Sequence, residues 1–412
     1  MEVYWVWLSG LEGLGTRGRI RVLSAFGTPE RAYRATEAEL REAAELTAED
    51  RAALMDRDLG PAEKILRECR EKDIRVIPLD SPDYPALLAE ISDPPPVLYC
   101  AGVLPDTVRE LTVAVVGTRK ASAQGLRMAK KLGYELSRAG TVVVSGCAEG
   151  ADRAAMEGAL RGGSAVIGVL GCGVDVVYPK SCRRLYADVR DYGCLLSEYP
   201  PGTPPISWHF PARNRIISGL SRGVIVTEAP RRSGALITAR LAMEQGRDVF
   251  AVPGSAGLPA CAGSNDLLRQ GAAMAESGAD VTQGYEYLFP DRLRVPDRGS
   301  ELQEPWELTE LPDDGNEVIA ASPVCISQSC DKKDIDKAEV PAYIDVQELA
   351  APLDPEEAAV AAALLGGPRR TDELIRATGL TAPKVIGILT MLELRGVLTA
   401  LPGGSYSLKE TH

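Results

Sequence analysis

Histidine is the scarcest chemically useful side chain in this sequence: 412 residues contain two. Catalytic triads, imidazole acid–base pairs and mixed zinc sites all draw on histidine, so this poverty weighs against most hydrolase and metal chemistry. The nine cysteines never stand as Cys-x-x-Cys, and the nearest pair, Cys325 and Cys330, lies in a polar, acidic stretch. Clustered thiolate ligands are therefore lacking, and an odd number of scattered thiols suits a reducing cytosol. No apolar run approaches the ~18 residues of a membrane helix, and Met1–Leu8 has an acid at position two and no basic flank, unlike a secretory leader. A cytoplasmic, soluble protein without metal or membrane association is the expectation. No Walker A sequence occurs, and no Gly-x-Gly-x-x-Gly stands between a strand and a helix, since Gly13–Gly18 has the spacing but lies in the helical segment, which disfavours tight triphosphate or dinucleotide binding and points to no cofactor.

The formal net charge of −12 conceals a polarised distribution. Residues 107–288 hold 21 basic and 16 acidic side chains, with 17 of the basic ones arginine, whereas 296–354 hold 4 basic and 15 acidic. Screening at cellular salt acts over about 8 Å, so a local basic cleft can hold phosphate whatever the total charge.

Chain length implies two to four domains. Residues 1–60 read as a small helical domain. Ile20, Leu23 and Phe26 recur at helical spacing, Thr28-Pro29-Glu30-Arg31 has the form of a cap with proline at N1, and Glu37–Ala44 is a further helical stretch. Gly13-Leu14-Gly15 fits either a helix-hairpin-helix turn, which can set backbone N–H groups against phosphate, or a plain helical packing module. Both readings stand, and the acidity of the segment weighs toward the second.

From Ile74 the texture changes. Ile74–Leu79 and Val97–Tyr99 read as strands. Thr112–Gly117, Thr141–Gly146, Ser164–Gly171, Gly193–Tyr199, Gly223–Ala229 and Asp248–Pro253 then follow as short apolar runs bounded by Gly or Pro. Helical segments fit between them, among them Gln124–Ala139, Asp152–Arg161 and Leu236–Gln245. Continuous apolar strands spaced by helices mean a parallel sheet covered on both faces, a Rossmann-like doubly wound α/β domain over 61–290. Residues 291–354 have the composition of an acidic flexible linker. Over 355–412, helices at Ala358–Leu365, Thr371–Thr378 and Ala382–Leu394, then a hairpin from Val397–Ala400 and Ser405–Leu408, predict a winged helix. Its third helix sets Lys384 and Arg395 against Glu393, too little charge for strong duplex affinity, so a protein-contact or structural role is expected.

In an open parallel sheet, ligands bind beyond the C-terminal ends of the strands. Five loops should meet there: Gly117-Thr118-Arg119-Lys120, Ser145-Gly146 through Asp152, Gly171 through Tyr178-Pro179-Lys180 (with Lys180 just before a helix), Phe210 through Arg213-Asn214-Arg215 to Ile217, and Glu228 through Ser233-Gly234. Glycine lets the backbone approach an anion, helix starts offer N–H groups and arginine offers a planar multidonor charge. His209, between Trp208 and Phe210, reads as structural.

The ordered combination is more specific than its parts. Val113–Arg119, Ser145–Asp152, Ser197-Glu198-Tyr199-Pro200, Phe-Pro-Ala-Arg-Asn-Arg-Ile-Ile-Ser-Gly-Leu-Ser over 210–221, Ser233–Ala239 and Gly246–Gly254 together resemble the DNA-processing protein A family (DprA, also called Smf). The resemblance implies a homodimeric binding protein, not an enzyme, that holds single-stranded DNA and loads the RecA recombinase during natural transformation. It implies a pocket lined by Gly117, Thr118, Arg119, Ser145, Gly146, Lys180, Arg213, Asn214, Arg215, Ser233 and Gly234, and a dimer contact involving Leu267 and Leu268. Family members commonly carry Gly-Ile-Asp with a histidine four residues beyond the Asp, where this chain has Gly150-Ala151-Asp152 and Met156. Cys182 stands where an asparagine is usual. Helix N-termini and arginines would grip consecutive phosphates, with Tyr186, Trp208 and Phe210 as candidate base-stacking rings. Two other readings remain: a nucleoside monophosphate phosphoribohydrolase using Arg119 or Arg213 with Glu228, although the Pro-Gly-Gly-x-Gly-Thr signature of that group is missing, and a nucleotide sensor signalling through the winged helix.

Overall fold

The computed structural model describes residues 1–294 and, further on, 360, 363–364, 369–378, 380, 384–385, 388–389, 392, 398–401 and 405–408. Packing divides the chain into two units, Met1–Asp313 and Asp314–His412.

The first unit opens with helices α1 (Glu2–Gly10), α2 (Thr16–Phe26), α3 (Pro29–Arg34), α4 (Glu37–Glu42), α5 (Ala48–Ala53) and α6 (Gly60–Glu71). Trp5, Val6, Trp7 and Leu8 of α1 are all buried, so the apolar N-terminal stretch is a core helix. The expected cap is present: the Thr28 side chain accepts from the Arg31 amide, with Pro29 at the first helical position. Thr36 with Glu39 and Thr47 with Asp50 close reciprocal capping boxes on α4 and α5.

After β1 (Arg75–Pro78), α7 (Ala86–Ala89) and β2 (Val97–Gly102), strand and helix alternate. β3 (Thr112–Val116) leads to α8 (Ala123–Arg138), β4 (Val142–Ser145) to α9 (Ala151–Gly162), and β5 (Val166–Val169) to α10 (Arg183–Tyr192). Then β6 (Gly193–Ser197) precedes α11 (His209–Gly219), β7 (Gly223–Val226) precedes α12 (Gly234–Glu244), and β8 (Asp248–Ala251) precedes α13 (Ala262–Arg269). β9 (Ala273–Met274) and α14 (Gly278–Thr282) follow. The spatial order is β1-β2-β6-β5-β4-β3-β7-β8-β9. From β6 to β9 every neighbouring pair is parallel. The expectation of a wholly parallel sheet needs correcting at one edge, where β1 and β2 pair antiparallel with each other and β2 antiparallel with β6. The link from β1 to β2, residues 79–96, carries only the four-residue α7 and returns the chain antiparallel, so no crossover helix is needed.

Strand alternation splits the core in two. Val113, Val115 and Val143 belong to the cluster that includes Ala129, Leu132 and Leu136 of α8 and Ala155 of α9. Ala114, Val116, Val142 and Val144 join Ile216 and Ile217 of α11 and Ala239 of α12 on the opposite face. The chain leaves β3 toward β4, β5 and β6, then returns to lay β7 on the other side of β3. That reversal defines a crevice at the strand C-termini. The helix expected just after Lys180 is α10, whereas sequence periodicity missed α13 and β9, and Phe210–Ile217, read as a loop, is the body of α11.

In the second unit, β10 (Arg369–Arg370), the helix Thr371–Thr378, β11 (Leu398–Leu401) and β12 (Ser405–Leu408) are described, with sheet order β10-β12-β11. Val360, Leu364, Leu374, Val385, Leu389, Leu392 and Leu398 form its core. The hairpin lies within one residue of its expected bounds, and the short β10 that widens it was not anticipated. The expected linker lies outside the described residues from 295 onward. Among the described residues no helix is long and apolar enough to cross a membrane.

Candidate nucleic-acid interface

The first two strand-end loops touch through backbone. The Ala151 amide donates to Thr118 O at 3.2 Å. A Cβ on Gly150 (φ +81°) would stand 2.4 Å from Arg119 O and 2.5 Å from Thr118 O, so only glycine permits the approach. Met156, where the family commonly has histidine, is buried with its sulfur 3.3 Å from that of Cys147.

The N–H groups at this crest are answered by the protein's own acids. Asp152, in the first turn of α9, accepts from Gly146 N at 3.1 Å and Gly117 N at 3.4 Å. Burial pushes its carboxyl above the usual range, against the pull of Arg213 and of the Gly117 amide. Glu228, just after β7 and 4% exposed, accepts from Ser122 N at 3.1 Å and Ser122 Oγ at 2.6 Å, over the first turn of α8. Its own carbonyl takes the Thr118 amide at 2.7 Å. The loop amides of Gly117 and Gly146 and the Ser122 cap of α8 are thus occupied by carboxylates, and the Ala151 amide at the start of α9 by a carbonyl, because a buried amide without a partner would be costly. The glutamate that the phosphoribohydrolase reading requires is likewise consumed as a cap.

Among the other expected residues, Arg213 is buried inside the site. Its Nη1 donates to Gly146 O at 2.8 Å and to Val169 O, tying α11 to the ends of β4 and β5, and burial lowers its pKa. Ser145 is fully buried, with Oγ donating to Val115 O at 2.7 Å. Asn214 donates to Gly234 O at 3.2 Å, joining α11 to the start of α12, while the Ser233 hydroxyl accepts from Ala235 N at 3.3 Å. Arg215 lies elsewhere: its Nε is 3.1 Å from Asp93 and its Nη2 pairs with Glu198. On a helix, positions i and i+2 point to different sides, so Arg213 and Arg215 cannot serve one pocket. Leu267 is 7% exposed and belongs to the core of this chain; Leu268 is half-buried against it.

What faces outward combines charge and rings. The Arg119 guanidinium carbon lies 5.3 Å from the centre of the Phe210 ring, and that ring lies 5.5 Å from Tyr178. Lys180 is exposed two residues beyond Tyr178, and Lys120 is exposed beside Arg119. Ser181 donates to Glu149 at 2.5 Å, linking the third loop to the second. Trp208, 64% exposed, stands edge-on to His209 at 4.1 Å, and His209 stacks on Tyr199 at 3.8 Å. The His209 Nδ1 lies 3.0 Å from Gly171 O, and burial lowers its pKa, so it is structural. Tyr186 is not a stacking surface, since its ring is buried and its hydroxyl donates to Tyr178 O at 2.8 Å. Tyr178, beside Phe210, is the exposed ring at that loop instead. Its position in Tyr-Pro-Lys at a strand-end loop was the available signal.

The fold and this crest define a Rossmann-like protein whose strand ends present cations braced by aromatic rings. The family model for DNA recombination-mediator protein A matches residues 75–286, and that for the DprA winged helix domain matches 347–404. Protein Smf of Synechocystis is 33% identical over 422 residues, 98% of this chain and 98% of that one. DNA processing protein DprA of Bacillus subtilis is 40% identical over 243 residues, 59% of this chain and 78% of that one. The X-ray structure of DprA from Streptococcus pneumoniae superposes with a TM-score of 0.61 at 37% identity, covering 69% of this chain and 98% of that chain. The chain belongs to the DprA/Smf family of DNA-processing proteins.

Proposed function

We propose that this protein binds single-stranded DNA without marked sequence preference and delivers it to the RecA recombinase in natural transformation or recombination. It acts as a cytoplasmic homodimer that catalyses no reaction itself. The observation that carries the reading is the meeting of Arg119, Phe210 and Tyr178, brought from three separate segments, with Lys120 and Lys180 exposed alongside.

Cations on the crest neutralise successive phosphates, and such contacts give affinity without sequence information. Phe210 and Tyr178 offer ring faces that any base can stack on once it is unpaired, which favours a single strand over a duplex. Arg213 works from beneath by fixing α11, and hence Phe210, to the ends of β4 and β5. Because Asp152 and Glu228 already occupy the crest amides, side chains do the gripping. Mobility shifts with matched single- and double-stranded oligonucleotides across a salt series test the reading. Preferential, salt-sensitive retention of the single strand is expected, and equal or salt-independent binding of both forms would overturn it.

A further inference from the structure

The segments after β7 and β8 enclose a cleft of about 400 Å³ whose lining includes Pro230, Arg231, Gly257, Leu258, Asn265 and Arg269, within the ~300–1,000 Å³ of small-ligand sites. None of these residues belongs to the Arg119 cluster. Arg231 Nε donates to Asp266 Oδ2 at 2.8 Å, and Arg269 Nη1 donates to Oδ1 of the same carboxylate. One acid therefore orders two guanidiniums, and the trio keeps a net positive charge. Both arginine side chains remain largely exposed, at 72% and 67%. Exposed pairs of this kind hold weakly, so a phosphate can compete for both guanidiniums.

The cleft also has an apolar wall. Leu258 is 52% exposed, with Pro230, Pro259 and Ala262 in the same lining. Asn265 braces the loop that carries it, accepting from Gly254 N and donating to Gly254 O, each at 3.0 Å.

Its place in the fold gives the occupant. β7 and β8 follow β3 in the sheet, two strand spacings or about 10 Å across, so the cleft opens along the same row of strand C-termini as Arg119. α11 joins the two places. Phe210 meets Arg119 near the start of that helix, and Asn214, one turn on, bonds Gly234, three residues beyond Arg231. At the start of α12 a Cβ on Gly234 would meet nothing within 4 Å.

We propose that this cleft is a second single-strand subsite. Arg231 and Arg269 hold a phosphate there, and Leu258 supports a base, of the same strand whose neighbouring nucleotides lie on Arg119 and Phe210. The proposal rests on the reading above, and an oligonucleotide-length series separates the two. Anisotropy is measured with oligo(dT) of about 4 and about 12 nucleotides, lengths within the range of single-strand sites, over a salt series.

The double variant Arg231→Ala/Arg269→Ala should bind the longer oligomer about tenfold more weakly, with a salt slope shallower by about one charge. It should bind the shorter oligomer as wild type does. Arg231→Lys/Arg269→Lys should restore most of the slope. Equal loss at both lengths, or loss at neither, overturns the subsite. So does unchanged DNA binding together with a changed oligomeric mass by light scattering, which would mark the cleft as a self-association surface. Failure of wild type to bind either oligomer sinks the parent reading instead.

Discussion

The carboxylate of Glu228 accepts from both the amide and the hydroxyl of Ser122, at 3.1 and 2.6 Å, and so closes the first turn of α8 from the end of β7. The relationship binds the two strands that flank the topological switch point, since Thr118 N also bonds Glu228 O at 2.7 Å. A phosphate brought to the start of α8 would meet this carboxylate. Glu228→Ala removes two charge-assisted bonds in a buried setting and should cost about 2–3 kcal/mol of stability by denaturant unfolding. Single-strand affinity should stay within about twofold, because the proposed grip lies in side chains that Glu228 does not touch. A folded Glu228→Ala protein that has lost DNA binding would place the acid inside the interface.

Arg119→Ala tests the crest itself. The guanidinium sits over Phe210 and projects from a loop fixed by the Gly150 contact, so its loss removes a phosphate contact and a ring brace together. Affinity for single strands should fall about tenfold or more, and the slope of log K against log[salt] should flatten by about 0.7. Near-normal binding with an unchanged slope would remove Arg119 from the site. Arg119→Lys should recover the slope but not all of the affinity, because an ammonium lacks the planar face that lies on the ring.

Much of this architecture is legible in the residues. The strands from Thr112 to Ala251 announce themselves as valine-rich runs between glycines, because strands buried on both faces admit little else. α11 was hidden for a related reason. It is buried along most of its length, from Arg213 through Gly219, so it lacks the polar stripe that makes a helix readable. With α11 taken as a loop, Arg213 and Arg215 read as a pair. As a helix it sends one to carbonyls beneath the crest and the other to Asp93 and Glu198. The filling of the Gly117 amide by Asp152 and of the Ser122 amide by Glu228 was also out of reach, since it joins segments 35 or more residues apart. The ring cluster was half visible: Phe210 stood out, and Tyr178 did not.

In the proposed interface Phe210 supports both the Arg119 charge and a base. Phe210→Ala should weaken single-strand binding by about 1–3 kcal/mol, the worth of one base on one ring, while leaving the salt slope within error because no charge is lost. The slope thus separates the roles of Phe210 and Arg119. The ring also packs on Gly171, where a Cβ would come within 3.0 Å of it. Phe210→Leu therefore serves as the companion that keeps apolar contact while removing the stacking face. If the leucine variant binds as wild type does, the ring is packing and not a platform.

The N-terminal helices carry their own pH sensitivity. Asp50 is buried at the start of α5, where its carboxylate accepts from Arg21 Nε at 2.7 Å, Arg21 Nη2 at 2.9 Å and Thr47 N at 2.9 Å. Burial pushes the Asp50 carboxyl up, but the bonds from Arg21 and Thr47 outweigh it and hold the group below its ordinary value of 3.8. A carboxyl depressed on folding gives stability that is fully present above the unfolded value and fades as pH falls through the folded one. Wild type should therefore lose thermal stability below about pH 4, the ordinary carboxyl range. Asp50→Asn should be less stable at neutral pH and flatter in that acid window, so the two curves approach each other as pH falls. Parallel curves across the window would mean that Asp50 has no depressed titration to lose.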